Sequence, residues 1–426
     1  MSVLHDLARG NRVALLQPGS TAYVEAVVGL LSEGVLPVPL DPSLTVVERE
    51  RILADVEPAL VVDTAEGLAA LHDALPEERR RGLPLGRPMH VTSGTTGWPK
   101  AVHSGVLEPD AARELVNEER DLWGFAADDV NLVLSPIHHS APLRFATGTL
   151  LAGGRLVGLD GLGRQMGFDP GRITQLIETE RPTSLFCVPT HLQRLFTHWD
   201  QHGIPDLSCF RLVAHAGAAC PPEVKRRLVE TFPDGSTWEF YGSTEGQFTA
   251  CRSEEWEQRP GTVGRARPGR ELTVDDDGTI WCAVPPHARF DYFRDPEKTA
   301  AAWRALPNGQ SSLTVGDLGR LDDDGYLFLD GRREDLVISG GVNVYPVEVE
   351  NALREHPGVE DVAVYGMPDD EWGQRVCAAV VGTASEQELT AYARERLSPA
   401  KRPKQWRFLP ELPHSPTGKV RRRELS

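Results

Sequence analysis

Residues 91–100 read VTSGTTGWPK: four small hydroxyl-bearing side chains, two glycines, then a proline and a lysine. Glycines let main-chain N–H groups approach a polyphosphate, Ser93, Thr95 and Thr96 can donate to its oxygens, and Lys100 adds a positive charge. The run departs from the phosphate-loop pattern G-x-x-x-x-G-K-[ST], because Pro99 precedes the lysine and Ala101 follows it. Taken alone it reads equally well as a polar surface loop, so its meaning rests on its surroundings.

Upstream, from Arg12 to Asp63, short apolar runs (VALLQ, VLPVPL, ALVVD) alternate with amphipathic stretches such as AYVEAVVGLLSEG, the pattern of a parallel α/β layer. The charged, Gly/Pro-rich PEERRRGLPLGRP then forms a loop into the glycine run. Downstream, VNLVLSP, GGRLVGL and ITQLIETERPTSLFCVPT continue the alternation, and PPEVKRRLVETF spaces Val224, Leu228 and Phe232 as one face of a helix. After about Thr262, ELTVDDDGTIWCAV and GRLDDDGYLFLDG each set an Asp/Gly turn between alternating strands, which predicts two hairpins. The stretch from Gly331 to Gly366 predicts strand, glycine turn, a helix opened at Pro346 and closed before Pro357, and a further strand. This tail is a compact α+β unit of roughly 95 residues, the size of a small domain.

A chain of 426 residues is long enough for two or more domains. Lys and Arg total 45 against 62 Asp and Glu, so the net charge of -17 argues against a general nucleic-acid or anionic-membrane surface. The six cysteines form no C-x-x-C pair and are expected as free thiols in a reducing compartment. With no apolar run near 18 residues and no basic leader, a cytoplasmic location is expected.

Further pieces follow in a particular order: LSPIHHSAPL (134–143), HAGAAC (215–220), EFYGSTEG (239–246), TVGDLG (314–319), GRREDLVISGGVNVYPVEVE (331–350) and PTGKVRRREL (416–425). As an ordered set, from about residue 12 to the C-terminus, the sequence resembles the adenylate-forming superfamily of acyl-CoA synthetases, stand-alone adenylation domains and luciferases. HAGAACPPEVKRR and VPTHLQRLF are most similar to its fatty-acyl-CoA ligase branch. The resemblance implies an α/β fold. A large domain of layered α/β sheets with a small β-barrel-like part would span 1–331, and a small mobile α+β domain 332–426, with a hinge near Glu334. Members usually carry more chain ahead of the phosphate loop, so the N-terminal region looks shortened.

The implied reaction needs no enzyme nucleophile. A carboxylate attacks the α-phosphate of ATP, pyrophosphate leaves, and the acyl-adenylate passes its acyl group to the thiol of CoA; positioning and charge carry the chemistry. Other acceptors remain open: a carrier-protein pantetheine arm, an amine, or the diazotisation route in which the activated acid is nitrite. A non-catalytic nucleotide-binding module is a further alternative, opposed by the retention of Lys100, Glu245, Asp317 and Lys419. The oligomeric state, monomer or homodimer, is open.

By the same resemblance, Thr92, Ser93, Gly94, Thr95, Thr96 and Gly97 cradle pyrophosphate, Lys100 escorts it, and Trp98 either covers the entrance or lies exposed. Glu245 is the Mg2+ carboxylate, Thr244 holds the α-phosphate, and Tyr241 turns a flat face to adenine, beside Gly242. Gly217 and Ala218 line the adenine slot, Asp317 accepts from both ribose hydroxyls, and Arg332 contacts ribose or phosphate. Gly340 and Gly341 let the pantetheine arm approach. His139 stands between the acyl and pyrophosphate regions, and Lys419 bridges the carboxylate and the α-phosphate.

Metal binding by His138 and His139 is not expected, since adjacent side chains should diverge. The acid pocket is expected near 139–147, 186–190, 214–218 and 241–248, with room left by Ala214, Ala216, Gly217 and Gly242. Arg144 either meets a polar substituent of the acid or, the reading favoured here, extends outward. Lys401, Arg402 and Lys404 are read as solvated charge rather than as a site for CoA phosphates.

Overall fold

The structure, a computed structural model, describes residues 7–92, 100–159, 168–217, 220–276, 278–331, 336–413 and 422–425. It contains two compact units: Met1–Pro42, Glu57–His90 and Ala101–Asp330 in the larger, and Ser43–Val56, Val91–Lys100 and Gly331–Ser426 in the smaller.

In the larger unit the first three strands form a parallel sheet, with Arg12–Leu15 between Leu36–Pro39 and Leu60–Val62. The connecting helix Thr21–Ser32 starts where the Ser20 side chain accepts from the Tyr23 N–H at 3.1 Å, which satisfies one orphan donor of the first turn. That helix buries residues nearly all round, because its apolar side chains also meet Leu143, Ala146 and Leu150 of helix Ser140–Leu151 in one core. The second sheet has seven strands. Thr237–Glu239, Leu212–His215, Ser184–Cys187, Val130–Val133 and Arg155–Val157 run parallel, and Thr249–Arg252 and Arg265–Ala266 extend the other edge antiparallel. Its central strands Ser184–Cys187 and Leu212–His215 are buried at every position, as a parallel sheet covered on both faces requires.

Both hairpins predicted after Thr262 are present. Glu271–Val274 pairs with Ile280–Val284 inside a four-stranded antiparallel sheet, and Leu318–Leu321 pairs with Leu327–Gly331. The layered α/β architecture with a separate β-rich part, plus a smaller α+β unit, is therefore the observed fold class.

In the smaller unit a long hairpin pairs Val359–Asp369 with Gly373–Gly382, and the other edge of Gly373–Gly382 takes Val337–Ser339, with Val342–Val344 beyond it, near Gly373 and Gln405–Phe408 farther along. Helices Pro346–Arg354 and Glu386–Arg396 close the core over Val349, Leu353, Val364, Val376 and Leu389. Gly340 and Gly341 form the turn between the first two strands, with φ of +59° and +81°. A Cβ on Gly340 would lie 2.8 Å from the Trp372 ring, so both conformation and space demand glycine there.

Lys401 is not solvated as the sequence reading expected. Its ammonium lies 2.8 Å from Glu348 and 3.4 Å from Glu48, both within this unit, and although burial opposes the charge, the two carboxylates raise its pKa. Arg402 also turns back, onto the main-chain oxygen of Leu397, whereas Lys404 is exposed, as expected, while reaching the Pro399 oxygen. All six cysteines are free. Among the described residues no helix is long and apolar enough to cross a membrane.

Candidate active site

The loop that leaves strand Thr237–Glu239 folds back on itself. The Phe248 N–H donates to Tyr241 O at 2.9 Å, the Ser243 N–H to Gly246 O at 2.8 Å, and Gly242 bridges Gln247. A Cβ at Gly242 would come within 2.6 Å of the Gly246 oxygen. The smallness of Gly242 thus serves the closure of the turn, where the sequence reading assigned it to ligand space.

Two carboxylates flank this loop, and each is held by a tyrosine. The Tyr241 hydroxyl donates to Asp317 Oδ2 at 2.6 Å, and the Tyr292 hydroxyl donates to Glu245 Oε1 at 2.7 Å. The Tyr241 ring is buried against Phe248, centroids 5.3 Å apart, so its visible task is to position Asp317. Tyr292 owes its place to the antiparallel pairing of Asp291–Tyr292 with Val102–His103. Neutral hydroxyl donors orient the carboxylates without cancelling their charge. Arg87 ties the loop to the β-rich part by donating to the main-chain oxygens of Glu245 (3.3 Å) and Ala288 (3.0 Å). Tyr292 and Arg87 were not read from the sequence, since neither lies in a recurring motif.

His139 immediately precedes helix Ser140–Leu151 and keeps part of its surface exposed within crowded surroundings. Its ring lies 4.2 Å from that of His138, so the expected divergence of the two side chains does not occur. The chain turns there, with the His139 N–H on Pro136 O, and a turn brings successive side chains to one side. The surrounding protein, then His138, lowers the His139 pKa and favours the neutral ring. Buried His90 is pushed down to about 3, also by desolvation first, and one of its ring nitrogens meets His138 O at 3.2 Å. Among the described residues no group of three or more His, Cys, Asp or Glu is arranged to hold a metal.

Gly217 carries a positive φ of +90° at the end of strand Leu212–His215. Ala214 and Ala216 are packed among Trp123, Phe145, Phe186 and Phe240, so the room expected beside them is filled by aromatic rings. In the smaller unit, Thr92 donates its hydroxyl to Lys100 O at 3.2 Å, closing the base of the glycine run. Ser93, Gly94, Thr95, Thr96, Gly97, Trp98, Ala218, Arg332, Glu334 and Lys419 lie outside the described residues.

A cavity of about 220 Å³ opens beside the loop, entirely within the larger unit. Thr244 and Gln247 line it from the loop, and Ser140, Leu143, Arg144 and Thr147 from the Ser140–Leu151 helix. Of the four stretches expected to wall an acid pocket, 139–147 and 241–248 line this cavity; 186–190 and 214–218 do not. Helix Pro109–Trp123 instead supplies a wall through Leu115, Val116 and Glu119. Arg144 does not extend outward: its guanidinium donates to Gln247 Oε1 at 2.7 Å, since the loop after strand Thr237–Glu239 offers it an amide oxygen from 103 positions away.

Behind that contact stands a network. Arg267, 3% exposed, donates to Glu119 at 2.8 Å and to the same Gln247 oxygen at 3.2 Å. Arg270 donates to Glu118 at 3.0 Å, His287 shares Glu118 at 2.7 Å, and Glu119 also accepts from the Trp123 indole at 3.1 Å. Burial alone would raise the Glu119 pKa, but the Arg267 and Arg144 guanidiniums outweigh it and hold the carboxyl at about 2.

The AMP-binding enzyme family model matches residues 2–85 and 89–288, and the model of the AMP-binding enzyme C-terminal domain matches 348–419. Among curated relatives, feruloyl-CoA synthase of Amycolatopsis sp is 33% identical, over 98% of this chain and 88% of its own. Among solved structures, o-succinylbenzoate CoA synthetase of Bacillus subtilis, bound with its product analogue, superposes at TM-score 0.83 with 27% identity, covering 99% of this chain and 89% of that one. Amide bond synthetase of Marinactinospora thermotolerans superposes at 0.80 with 28% identity, covering 99% and 90%.

Proposed function

The chain belongs to the AMP-binding enzyme family, and from that premise we propose that it is an ATP-dependent acyl-CoA ligase working in two steps. In the first, a carboxylate oxygen of the acid bonds to the α-phosphorus of ATP while the bond from that phosphorus to the departing pyrophosphate breaks. In the second, the CoA thiol gives up its proton to the medium, its sulfur bonds to the acyl carbon, and AMP leaves with the electron pair of the broken acyl–phosphate anhydride bond. The observation that carries this reading is the pair of carboxylates, Glu245 and Asp317, each aimed by a tyrosine hydroxyl beside a loop that also presents Thr244. The feruloyl-CoA synthase and o-succinylbenzoate CoA synthetase likenesses support CoA as acceptor.

The roles follow from the chemistry of each group. Asp317, held by Tyr241, accepts from the ribose hydroxyls. Thr244 donates to the α-phosphate, and Gly217 and Ala218 border the adenine. The run Thr92–Gly97 with Lys100 takes pyrophosphate. Neutral His139 stands where acid and pyrophosphate part, and Lys419 neutralises charge as carboxylate and α-phosphate meet. The small domain, 332–426, pivots near Glu334 with Arg332 beside the nucleotide, and Gly340 and Gly341 border the pantetheine arm after the pivot. Glu245 suits Mg2+, which takes one or two carboxylates and completes its shell with phosphate and water; the ion would neutralise phosphate oxygens.

Pyrophosphate release is measured across a panel of carboxylic acids, with and without CoA, and product masses are recorded. Acid-dependent release with a CoA thioester as product is expected. Release with no thioester moves the acceptor to an amine or a carrier-protein arm, the former being the reading that the amide bond synthetase likeness favours. No release with any acid overturns the enzyme assignment. Lys419→Ala is expected to abolish acid-dependent ATP–pyrophosphate exchange while leaving thiolysis of a preformed acyl-adenylate; unchanged exchange removes Lys419 from the first step.

A further inference from the structure

Four guanidiniums, those of Arg87, Arg144, Arg267 and Arg270, line the cavity beside Thr244. Two carboxylates serve them among the described residues: Glu119 bonds Arg267, and Glu118 bonds Arg270 while being shared with His287. Among the described residues, Arg144 hydrogen-bonds the neutral amide oxygen of Gln247, which Arg267 also uses, and no carboxylate directly. Among the described residues, Arg87 donates to main-chain oxygens. Arg120 also reaches the cavity but is mostly exposed and bonded to Asp121. The inner wall therefore holds more fixed positive charge than its acids balance. Mutual repulsion shows in the titration of these groups: burial first, then Arg144 and Arg270, push Arg87 down to about 10, and burial, with Arg267 and Arg270, also lowers Arg144. Glu119 works against the trend in Arg144, without cancelling it.

Unbalanced buried charge is costly, and an arriving anion relieves it. A guanidinium is also built for a carboxylate, to which it can present two parallel donors. The reacting carboxylate is a poor match for such a receptor, because it loses its charge on adenylation, and tight ground-state binding of it would slow the step. A second carboxylate keeps its charge through both steps. Apolar side chains, among them Leu115, Leu143 and Phe290, share the remaining walls with Ser140, Thr147 and Thr244, and the volume of about 220 Å³ is below that of pockets for drug-sized ligands.

Resting on the acid-activating reading above, we propose that the substrate is a short dicarboxylic acid, whose non-reacting carboxylate is received by Arg144 and Arg267 across Gln247. These two arginines and Gln247 set the specificity, and the apolar walls take the methylene chain.

The test compares matched pairs: butanedioate with butanoate, hexanedioate with hexanoate, octanedioate with octanoate. For at least one length the diacid is expected to exceed its monoacid at least 10-fold in kcat/KM for pyrophosphate release. Arg144→Gln should lower that diacid-to-monoacid ratio roughly 10- to 100-fold, the loss of one charge-assisted hydrogen-bond pair. Gln247→Glu, which supplies an internal anion, should act in the same direction, and Arg144→Lys should retain part of the ratio. Being a ratio, the readout is insensitive to the fraction of protein that folds. Monoacids preferred at every length, or a ratio unmoved in Arg144→Gln, overturn the proposal while leaving the ligase reading intact. Calorimetric binding of hexanedioate in the presence of a non-hydrolysable ATP analogue, lost in Arg144→Gln but with no pyrophosphate released from ATP, would support the receptor and overturn the ligase reading.

Discussion

One loop, Phe240–Phe248, faces two neighbourhoods of opposite electrical build. On one side, Glu245 and Asp317 each accept from a neutral tyrosine hydroxyl, which orients the carboxylate. On the cavity side, Gln247 offers a neutral oxygen to two guanidiniums, so positive charge remains. The same device, a neutral partner for a charged group, recurs on both faces; under the proposed function one face would meet a cation and sugar hydroxyls and the other an anion. Precision comes from the neutral partner; affinity waits for the ligand.

Removing a charge from each face separates them. The largest effect is expected from Arg267→Met, which leaves Glu119 without its main cation in a buried place. A loss of about 3–5 kcal/mol in unfolding free energy should appear in urea denaturation. Glu245→Gln keeps the shape of the other face and removes its charge. Its ATP–pyrophosphate exchange at saturating ATP should fall about 10²- to 10³-fold with little change in stability. If the stability losses of the two variants are equal, the faces are not built differently.

Acid titration gives a smaller effect of defined sign. The Glu119 carboxyl is held at about 2, below its ordinary value, so its ion pairing stabilises the fold fully above roughly pH 4.5. That contribution is lost as pH falls from there toward about 2. The stability difference between wild type and Glu119→Gln, read from urea midpoints, should therefore shrink over that window; a difference that grows on acidification contradicts the pairing. The mildest change, Tyr241→Phe, removes one hydroxyl and should raise KM for ATP roughly 10-fold with kcat nearly kept, as befits a positioning group for Asp317. An unchanged KM would free Asp317 from dependence on that hydroxyl.

The loop and its two carboxylates were legible in the sequence because they sit in short contiguous runs, YGSTEG and VGDLG, whose glycines and acids stand out locally. Even there, Tyr241 was assigned by its ring when its hydroxyl holds Asp317, a contact between residues 76 positions apart. The alternation of apolar runs gave the sheets, and the Asp/Gly turns gave the β-rich part. The cavity was not legible. Its arginines come from three places, Arg87 before the glycine run, Arg144 on a helix, Arg267 and Arg270 after a strand, and its acids from helix Pro109–Trp123. No window of the sequence contains both signs of that network. Lys401 was misread for the same reason: its partner Glu48 is 353 residues away.

The indole of Trp123 donates to Glu119, and Glu119 lines the cavity. Indole emission responds to the local electric field, and a second negative charge arriving among these guanidiniums alters the field across that ring. The chain thus carries its own optical gauge of cavity filling. A difference spectrum between the native protein and Trp123→Phe isolates its signal from those of the other tryptophans, without a label and without turnover.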